Sequence, residues 1–272
     1  MPQFIIRNFV DQDGWVHGYD KRQPSRGFFK SRPDKVFVEK HLYSLQTDEG
    51  VDLAGEKAMG HLEGRAAPVI DKILTAVRRC EMPGLSAIER AWWDQFFVTQ
   101  WKRVPDVRRD VMPDERVRGI FENTAADIAK RHPEHRDELA RLQEPEKLSQ
   151  LVQNARVGSL LSTGGAAVKV LAGRGLAFLL IPDGRRAFVL GSRPVVKLGI
   201  AGATDMSNPE SEMWFAIAPD VAVGPGNNSE AEAGRALENH ALVRLLNKAI
   251  WGQSSAVVGR SQLQIQSLVQ AR

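Results

Sequence analysis

The sequence has very little cysteine and no long apolar run. Cys80 is the single cysteine among 272 residues. One thiol excludes an internal disulfide and any paired-cysteine metal or redox motif, and it is typical of a reducing compartment. No stretch approaches the roughly 20 apolar residues that a transmembrane helix needs, and the apolar run in residues 1–7 is too short for a signal peptide. We therefore expect a cytoplasmic protein without a membrane partner.

A large excess of one charge is also missing. Lys and Arg number 37 against 33 Asp and Glu, which gives a net charge of +4. Hydrophobic residues at 43% and charged residues at 26% are ordinary proportions for a folded globular protein. Collagen-like, coiled-coil and wholly disordered chains are therefore excluded, but composition indicates no particular function.

The order of apolar patterns predicts an α+β fold. Residues 1–46 have short apolar runs between turn residues, which is typical of strands, and residues 176–272 combine such runs with closing helices. Residues 52–172 carry apolar side chains at steps of three and four, which indicates helices. We expect a single domain over residues 1–272, in which a helical middle region packs with a sheet built from the N- and C-terminal strands.

Two local patterns give more specific predictions. The apolar run at residues 4–6 is interpreted as part of a strand. Residues 178–181 and 187–190 are two apolar runs on either side of an Asp183-Gly184 turn signal. Because such an arrangement is typical of two antiparallel neighbours, we expect a β-hairpin there.

A cluster of basic residues follows the first strands. Residues 21–40 hold seven Lys and Arg against two acids, with Phe28 and Phe29 among them. Because cations neutralise phosphates and exposed aromatic rings stack on bases, this mixture predicts nucleic-acid binding. The side chains assigned to substrate binding are Lys21, Arg22, Arg26, Lys30 and Arg32. The alternative is a solvated hairpin with two phenylalanines in the core.

A pair of acids suggests a metal site. Glu56 and Glu63 are seven residues apart, about two helical turns, so they project from the same face of a helix. Two carboxylates on one face can hold a divalent ion such as Mg²⁺ or Mn²⁺, or divide the roles of acid and base. The alternative is a pair of solvent-exposed side chains, which is the ordinary situation of Glu.

Short motifs near the N-terminus are those of a known protein family. The family opens with His-x-x-Pro-x-Phe, which Pro2 and Phe4 match, and it continues into a hairpin that ends in Tyr-Asp-Lys, which residues 19–21 match. On these motifs the chain resembles a family of uncharacterised bacterial proteins, defined by a domain of unknown function. The resemblance implies a shared fold more than a shared activity.

The resemblance extends through the helical middle region. Glu56 and Glu63 fall at a family helix that contains Glu-Lys and a later Glu. Gln100, Arg103 and Pro105 match a Gln-x-x-Arg-x-Pro element that follows an aromatic helix. The family positions therefore add Gln100 and Arg103 to the candidate site residues.

The C-terminal half follows the family order as well, with two departures. Phe188, Pro194 and Val195 match an element of the form Phe-x-x-Ser-Asp-x-Pro-Val, but Ser192 stands where that element has its Asp. The family's opening His would precede Met1. A hydroxyl cannot replace a carboxylate as a strong metal ligand or base. If these two positions belong to a reaction centre, that centre is altered in this chain.

The first functional hypothesis is a metal-dependent nuclease of a defence or toxin type. Glu56 and Glu63 would hold Mg²⁺ or Mn²⁺, which activates water and stabilises the phosphoryl charge. Arg103 would clamp the phosphate with its planar guanidinium, Gln100 would orient the substrate, and the basic residues 21–40 would recruit it.

The second hypothesis is a non-catalytic binding or interaction module with a degenerate site. In that case Glu56 and Arg103 form an internal ion pair, and Ser192 marks a pocket without catalytic chemistry. The partner is then a nucleic acid or another protein. An open cleft around the four candidate residues favours the enzyme, and their burial in pairs favours the module.

Overall fold

The fold is α+β, as the sequence predicts. A computed structural model describes residues 1–38, 42–47, 50–102, 113–162, 164–198, 206, 208, 210–227, 232–237 and 240–270. Within this part of the chain, no helix combines the length and the apolar character that crossing a bilayer requires.

The chain divides into two compact units. The first contains Met1–Val38, Leu62–Val104 and Thr163–Arg272, and the second contains Glu39–His61 and Pro105–Ser162. The described α-helices, in chain order, are α1 (Gln3–Arg7), α2 (Ala54–Arg78), α3 (Ala87–Lys102), α4 (Asp114–Arg131), α5 (Arg136–Leu142), α6 (Pro145–Leu161), α7 (Gly165–Ala172), α8 (His240–Gln253) and α9 (Gln262–Gln270).

N- and C-terminal strands share one sheet in the first unit, and this confirms the sequence prediction. The sheet has the order β2 (Phe28–Ser31), β1 (Val16–Asp20), β11 (Ala256–Gly259) and β6 (Leu190–Gly191). All three pairings are antiparallel, and Tyr19 lies opposite Val257 at the centre. Strands that are far apart in sequence therefore become neighbours here.

A second sheet of the same unit contains five strands. Their order is β10 (Glu232–Ala236), β5 (Leu176–Leu180), β9 (Val221–Pro225), β8 (Glu212–Ala216) and β7 (Val195–Leu198). β10 and β5 are parallel, and the other pairings are antiparallel. β9 is buried at all five positions, because it lies in the middle of the sheet.

The predicted hairpin at residues 178–190 is wrong. β5 belongs to the five-stranded sheet and β6 to the four-stranded sheet. The turn that follows β8 occupies the intervening position: the N–H of Ile181 donates to the carbonyl oxygen of Asp220 at 2.8 Å, and the N–H of Phe188 donates to that of Pro219 at 2.7 Å.

The interpretation of residues 4–6 as strand is also wrong, because they lie in α1 with Ile5 and Ile6 fully buried. The first unit's core is aromatic where α3 meets the five-stranded sheet. The ring of Phe96 on α3 lies 6.1 Å from the ring of Phe215 on β8, in a stacked arrangement, and both side chains are fully buried.

The second unit is mainly helical. It contains α4, α5, α6 and a two-stranded hairpin of β3 (Leu45–Thr47) and β4 (Gly50–Asp52). Asn154 on α6 holds β3 with two hydrogen bonds: its Oδ1 accepts the N–H of Gln46 at 2.8 Å, and its Nδ2 donates to the same residue's carbonyl at 2.7 Å. Such a pair imitates a neighbouring strand and blunts the edge of the hairpin.

Candidate functional site

The two predicted metal ligands lie on one helix but serve different units. Glu56 is in the first turn of α2 and belongs to the second unit, whereas Glu63 on the same helix belongs to the first. The Oε1 atom of Glu56 accepts the backbone N–H of Tyr43 at 3.1 Å. Within the described ranges, no group of three or more His, Cys, Asp or Glu side chains is arranged to hold a metal ion.

Of the two remaining predicted catalytic residues, Gln100 lies in the described part of the chain. Gln100 lies on α3 and is fully buried in the first unit. Arg103 lies outside the described residues. The assignment of all four residues to one reaction centre therefore stays a prediction.

Two cations of the predicted nucleic-acid hairpin are bound where the hairpin begins. Lys21 Nζ donates to the carbonyl of Trp251 at 2.6 Å and lies 4.7 Å from the centre of the same residue's indole ring. The guanidinium of Arg22 donates to both carboxylate oxygens of Asp20, at 3.0 and 2.9 Å. This contact holds the pKa of Asp20 below its usual value.

The other three hairpin cations also have partners close by. Arg26 stacks over the ring of Phe29 at 4.8 Å, and Arg32 stacks over the ring of Trp15 at 4.0 Å. Lys30 Nζ lies 3.4 Å from a carboxylate oxygen of Asp11. Each of the five cations assigned to substrate binding thus has a partner within the protein, whereas Phe28 and Phe29 are half-buried and lie outside the core.

Asp11 organises the turn beneath these cations. Its Oδ1 accepts the backbone N–H groups of Trp15 and Asp13, at 2.9 and 3.0 Å, and its Oδ2 contacts Nε2 of His17 at 2.9 Å. The hydrogen bond from the Trp15 N–H is the main reason that the pKa of Asp11 falls to about 2. The carboxylate is therefore an internal acceptor at neutral pH.

Several positions of the family elements meet where α8 ends and β11 begins, at residues 251–256. The Ser192 hydroxyl accepts the backbone N–H groups of Ser255 at 3.0 Å and Ala256 at 3.2 Å. The backbone N–H of Lys21 donates to the carbonyl of Ser255 at 2.8 Å, and the ring of Tyr19 lies 5.7 Å from the indole of Trp251. These positions join β1, the end of β6 and the start of β11.

An open groove of about 750 Å³ lies on the C-terminal part of the first unit. We call it the C-terminal groove. It is lined by Arg185, Arg186, Ala187, Val189, Val243, Arg244, Asn247, Lys248, Arg260, Ser261, Leu263, Gln264, Ser267 and Leu268. Five of these side chains are cationic and none is acidic, so the lining has a strong positive potential.

Most of the groove's positive charge is available to a ligand. Within the part of the chain that the structure describes, Arg185, Arg186, Arg244 and Lys248 take part in no ion pair, and their side chains make no hydrogen bond. Three of the four are exposed and Arg186 is half-buried. The contrast with the engaged cations of the N-terminal hairpin is clear.

Arg185 and Arg186 lie in the loop between β5 and β6, which we call the basic loop. Three side chains hold this loop. Arg260 donates to the carbonyl oxygens of Gly184 and Arg186. Asn247 on α8 accepts the N–H of Val189 at 3.0 Å and donates to the carbonyl of Ala187 at 2.9 Å. Nε2 of Gln264 on α9 donates to the carbonyls of Ala187 and Phe188, at 2.7 and 3.3 Å.

The groove is hard to predict from the sequence because its cations are sparse and far apart in the chain. The sequence signal for the groove is an absence of acids. Residues 240–272 contain no Asp or Glu, but they contain Arg244, Lys248 and Arg260. In a chain with nearly balanced charge, an acid-free segment that contains two helices marks a basic surface.

The fold and the groove together define an α+β protein with a basic surface cleft. This chain belongs to the family described as protein of unknown function (DUF4238), whose sequence model matches residues 1–258. The expected membership of a domain-of-unknown-function family is thereby confirmed. Comparisons with curated proteins and with solved structures found no match.

Proposed function

We propose that this chain is a non-catalytic binding module whose partner is nucleic acid and that it acts in the cytoplasm. The observation that carries the proposal is the contrast between its two sets of cations. The cations of the N-terminal hairpin contact neighbouring carboxylates, carbonyls and rings. The cations Arg185, Arg186, Arg244 and Lys248 instead line an open groove that has no acid among its lining residues. Unpaired cations on one face are the electrostatic footprint of a phosphate-binding protein.

The contacts of Ser192 support the absence of catalysis. Its hydroxyl is used as a structural acceptor for the N–H groups of Ser255 and Ala256. A carboxylate oxygen at the same position would accept the same two N–H groups, because ionised acids are strong acceptors of backbone hydrogen bonds. Ser192 therefore has a structural role at this corner, which supports a binding module rather than a reaction centre at this position.

The metal-dependent nuclease of a defence or toxin type remains the competing hypothesis, with Mg²⁺ or Mn²⁺ on Glu56 and Glu63. The experiment incubates the chain with labelled RNA, single-stranded DNA and duplex DNA, in Mg²⁺, Mn²⁺ or EDTA. It is run beside a Glu56→Gln/Glu63→Gln variant, in which residue 56 keeps an oxygen that can accept the Tyr43 N–H.

The proposed function predicts that the chain binds the nucleic acid and that the nucleic acid stays uncleaved in Mg²⁺, in Mn²⁺ and in EDTA. The Ser192→Asp variant, which restores the carboxylate, is also expected to leave the substrates intact. Cleavage that requires a metal and is lost in the double variant overturns the proposal and establishes the nuclease. Failure to bind all three nucleic acids overturns it as well and directs attention to a protein partner.

A further inference from the structure

We propose that the C-terminal groove receives a single strand of nucleic acid, whose phosphates contact Arg185, Arg186, Arg244 and Lys248. The inference rests on the proposed binding function and adds to it the site and the class of strand.

The positions of the cations suit a chain of phosphates. Arg244 and Lys248 are four residues apart on α8, so their side chains project from the same side of that helix. Arg185 and Arg186 are contributed by the loop before β6, so cations from two separate elements line the same groove. Both sets can contact successive phosphates of one strand.

Apolar side chains in the lining favour a strand with unpaired bases. Val189, Val243 and Leu268 line the groove and are buried, whereas Leu263, which also lines it, is 77% exposed. A single strand offers apolar base faces as well as phosphates. A duplex keeps those faces stacked in its interior, and a polyphosphate chain has none, so neither matches both parts of the lining.

The dimensions of the groove point in the same direction. Its volume of about 750 Å³ lies within the range of concave sites that enclose most of a small ligand, about 300 to 1,000 Å³. A concave site of this size fits a few nucleotides of a flexible strand. A duplex instead presents its phosphates on the outside of a wide cylinder.

Hydrogen bonds from three side chains hold the backbone of the basic loop in place. Asn247 and Gln264 fix the carbonyl of Ala187 from two helices, and Arg260 holds the carbonyls of Gly184 and Arg186. Binding therefore does not have to order the backbone that carries the loop arginines, which lowers the entropic cost of association.

The lining also predicts how the strand is recognised. Among the described residues that line the groove, none is Phe, Tyr or Trp. Without an aromatic stacking platform, most of the affinity comes from phosphate contacts, so binding is tolerant of sequence and sensitive to salt. Each neutralised phosphate of a single strand contributes about 0.7 to the slope of log K against log salt.

The test is fluorescence anisotropy with the full chain, at several salt concentrations. The probes are a labelled single-stranded DNA, an RNA of the same sequence and the corresponding duplex. The groove variant is Arg244→Gln/Lys248→Gln. The control is Arg116→Gln/Arg118→Gln, which removes the same charge from two exposed positions on α4. Circular dichroism verifies that both variants are folded.

The proposal predicts that the wild type binds a single strand at least tenfold more tightly than the duplex. The groove variant is expected to lose at least tenfold in affinity and to lower the salt slope by about 1.4, and the control is expected to stay within twofold of the wild type. The Arg185→Gln/Arg186→Gln variant, on a separate element, is expected to reproduce the loss.

The outcomes separate the failure of the site from the failure of the function. Binding of the single strand that neither groove variant weakens overturns the groove as the site but leaves the binding function intact. Equal affinity for single strand and duplex overturns the assignment to a single strand. Inorganic polyphosphate is also titrated against the bound single strand, and displacement at a lower phosphate concentration than unlabelled strand requires overturns the role of the bases. A wild type that binds none of the probes overturns the proposed function itself.

Discussion

Ser192 contacts Ser255 through its side chain, and its backbone pairs with that of Ala256. The two hydroxyl oxygens are 3.1 Å apart, and the Ser192 hydroxyl also accepts the backbone N–H of Ser255 at 3.0 Å. In the opposite sense, the backbone N–H of Ser192 donates to the carbonyl of Ala256 at 2.8 Å. Residue 192 therefore connects the end of β6 to the start of β11 at the edge of the shared sheet.

Removing this hydroxyl is expected to weaken the fold. In Ser192→Ala, the N–H groups of Ser255 and Ala256 lose an acceptor in a half-buried corner, which we expect to lower the free energy of unfolding by about 1 to 2 kcal/mol. Urea denaturation measures the change. The control is Ser267→Ala, an exposed position on α9, which should change stability by less than about 0.5 kcal/mol. Equal effects of the two substitutions would contradict a structural role for Ser192.

A buried guanidinium holds the loops at one end of the five-stranded sheet. Arg174 is 6% exposed, and it donates to the backbone carbonyls of Met206, Ser211 and Gly226 at 3.0 to 3.2 Å. Burial lowers the pKa of this guanidinium below its usual value, yet it remains charged at neutral pH because arginine starts so high.

We expect Arg174→Met to be among the most destabilising single substitutions in the first unit. The apolar side chain fills a similar volume but leaves several buried carbonyl groups without a donor, at about 1 to 3 kcal/mol for each group left unsatisfied. A loss of at least about 3 kcal/mol in chemical denaturation is the expected result. Lys169→Met, at an exposed position on α7, is the matched control, and a loss of comparable size there would rule out this explanation.

Asp94 is a buried acid whose ionisation the fold opposes. It is 2% exposed on α3, and burial raises its pKa to about 6, although Arg90 donates to both carboxylate oxygens at 2.9 Å. The same guanidinium also donates to the carbonyls of Leu171 and Gly175. The pair thus links α3 to the segment between α7 and β5.

The raised pKa predicts a pH dependence of stability with a definite sign. Between the ordinary aspartate pKa of 3.8, which applies to the unfolded chain, and the folded value of about 6, the folded state binds more protons, so stability falls as pH rises. Relative to Asp94→Asn, which does not titrate, the wild type should lose about 2 kcal/mol between about pH 4 and pH 7. Urea denaturation of both proteins across this range measures the difference. A constant difference between the two curves would contradict the raised pKa.

Patterns along the chain predicted the fold class because each end has apolar runs of strand length. The prediction that the two ends share a sheet was confirmed by the pairing of β1 with β11. The same kind of pattern wrongly predicted a hairpin at residues 178–190. A turn signal between two apolar runs does not reveal whether a third segment lies between the two strands. Here Pro219 and Asp220 provide that segment, and their carbonyls accept the N–H groups on either side of the turn.

The candidate sites show the same limit. The basic residues near the N-terminus were visible as a cluster, but their partners Asp11, Trp15 and Trp251 lie elsewhere in the chain or carry no charge signal. The C-terminal groove has the opposite character, because the fold assembles it from cations up to 75 positions apart, Arg185 to Arg260. Local charge density therefore predicted a binding site at the hairpin, whereas the three-dimensional arrangement of the cations supports the proposed site in the C-terminal groove.

Asn247 provides a test of whether the held loop matters for binding. In Asn247→Ala, the loop loses the bonds to the Val189 N–H and the Ala187 carbonyl, so we expect weaker binding of a single strand, by about three- to tenfold. If Asn247 acts by positioning the loop cations, this loss should nearly disappear in the Arg185→Gln/Arg186→Gln background, because the two changes affect one contact. Anisotropy titrations of the four proteins measure the coupling. Losses that simply add would show that Asn247 acts independently of the loop arginines.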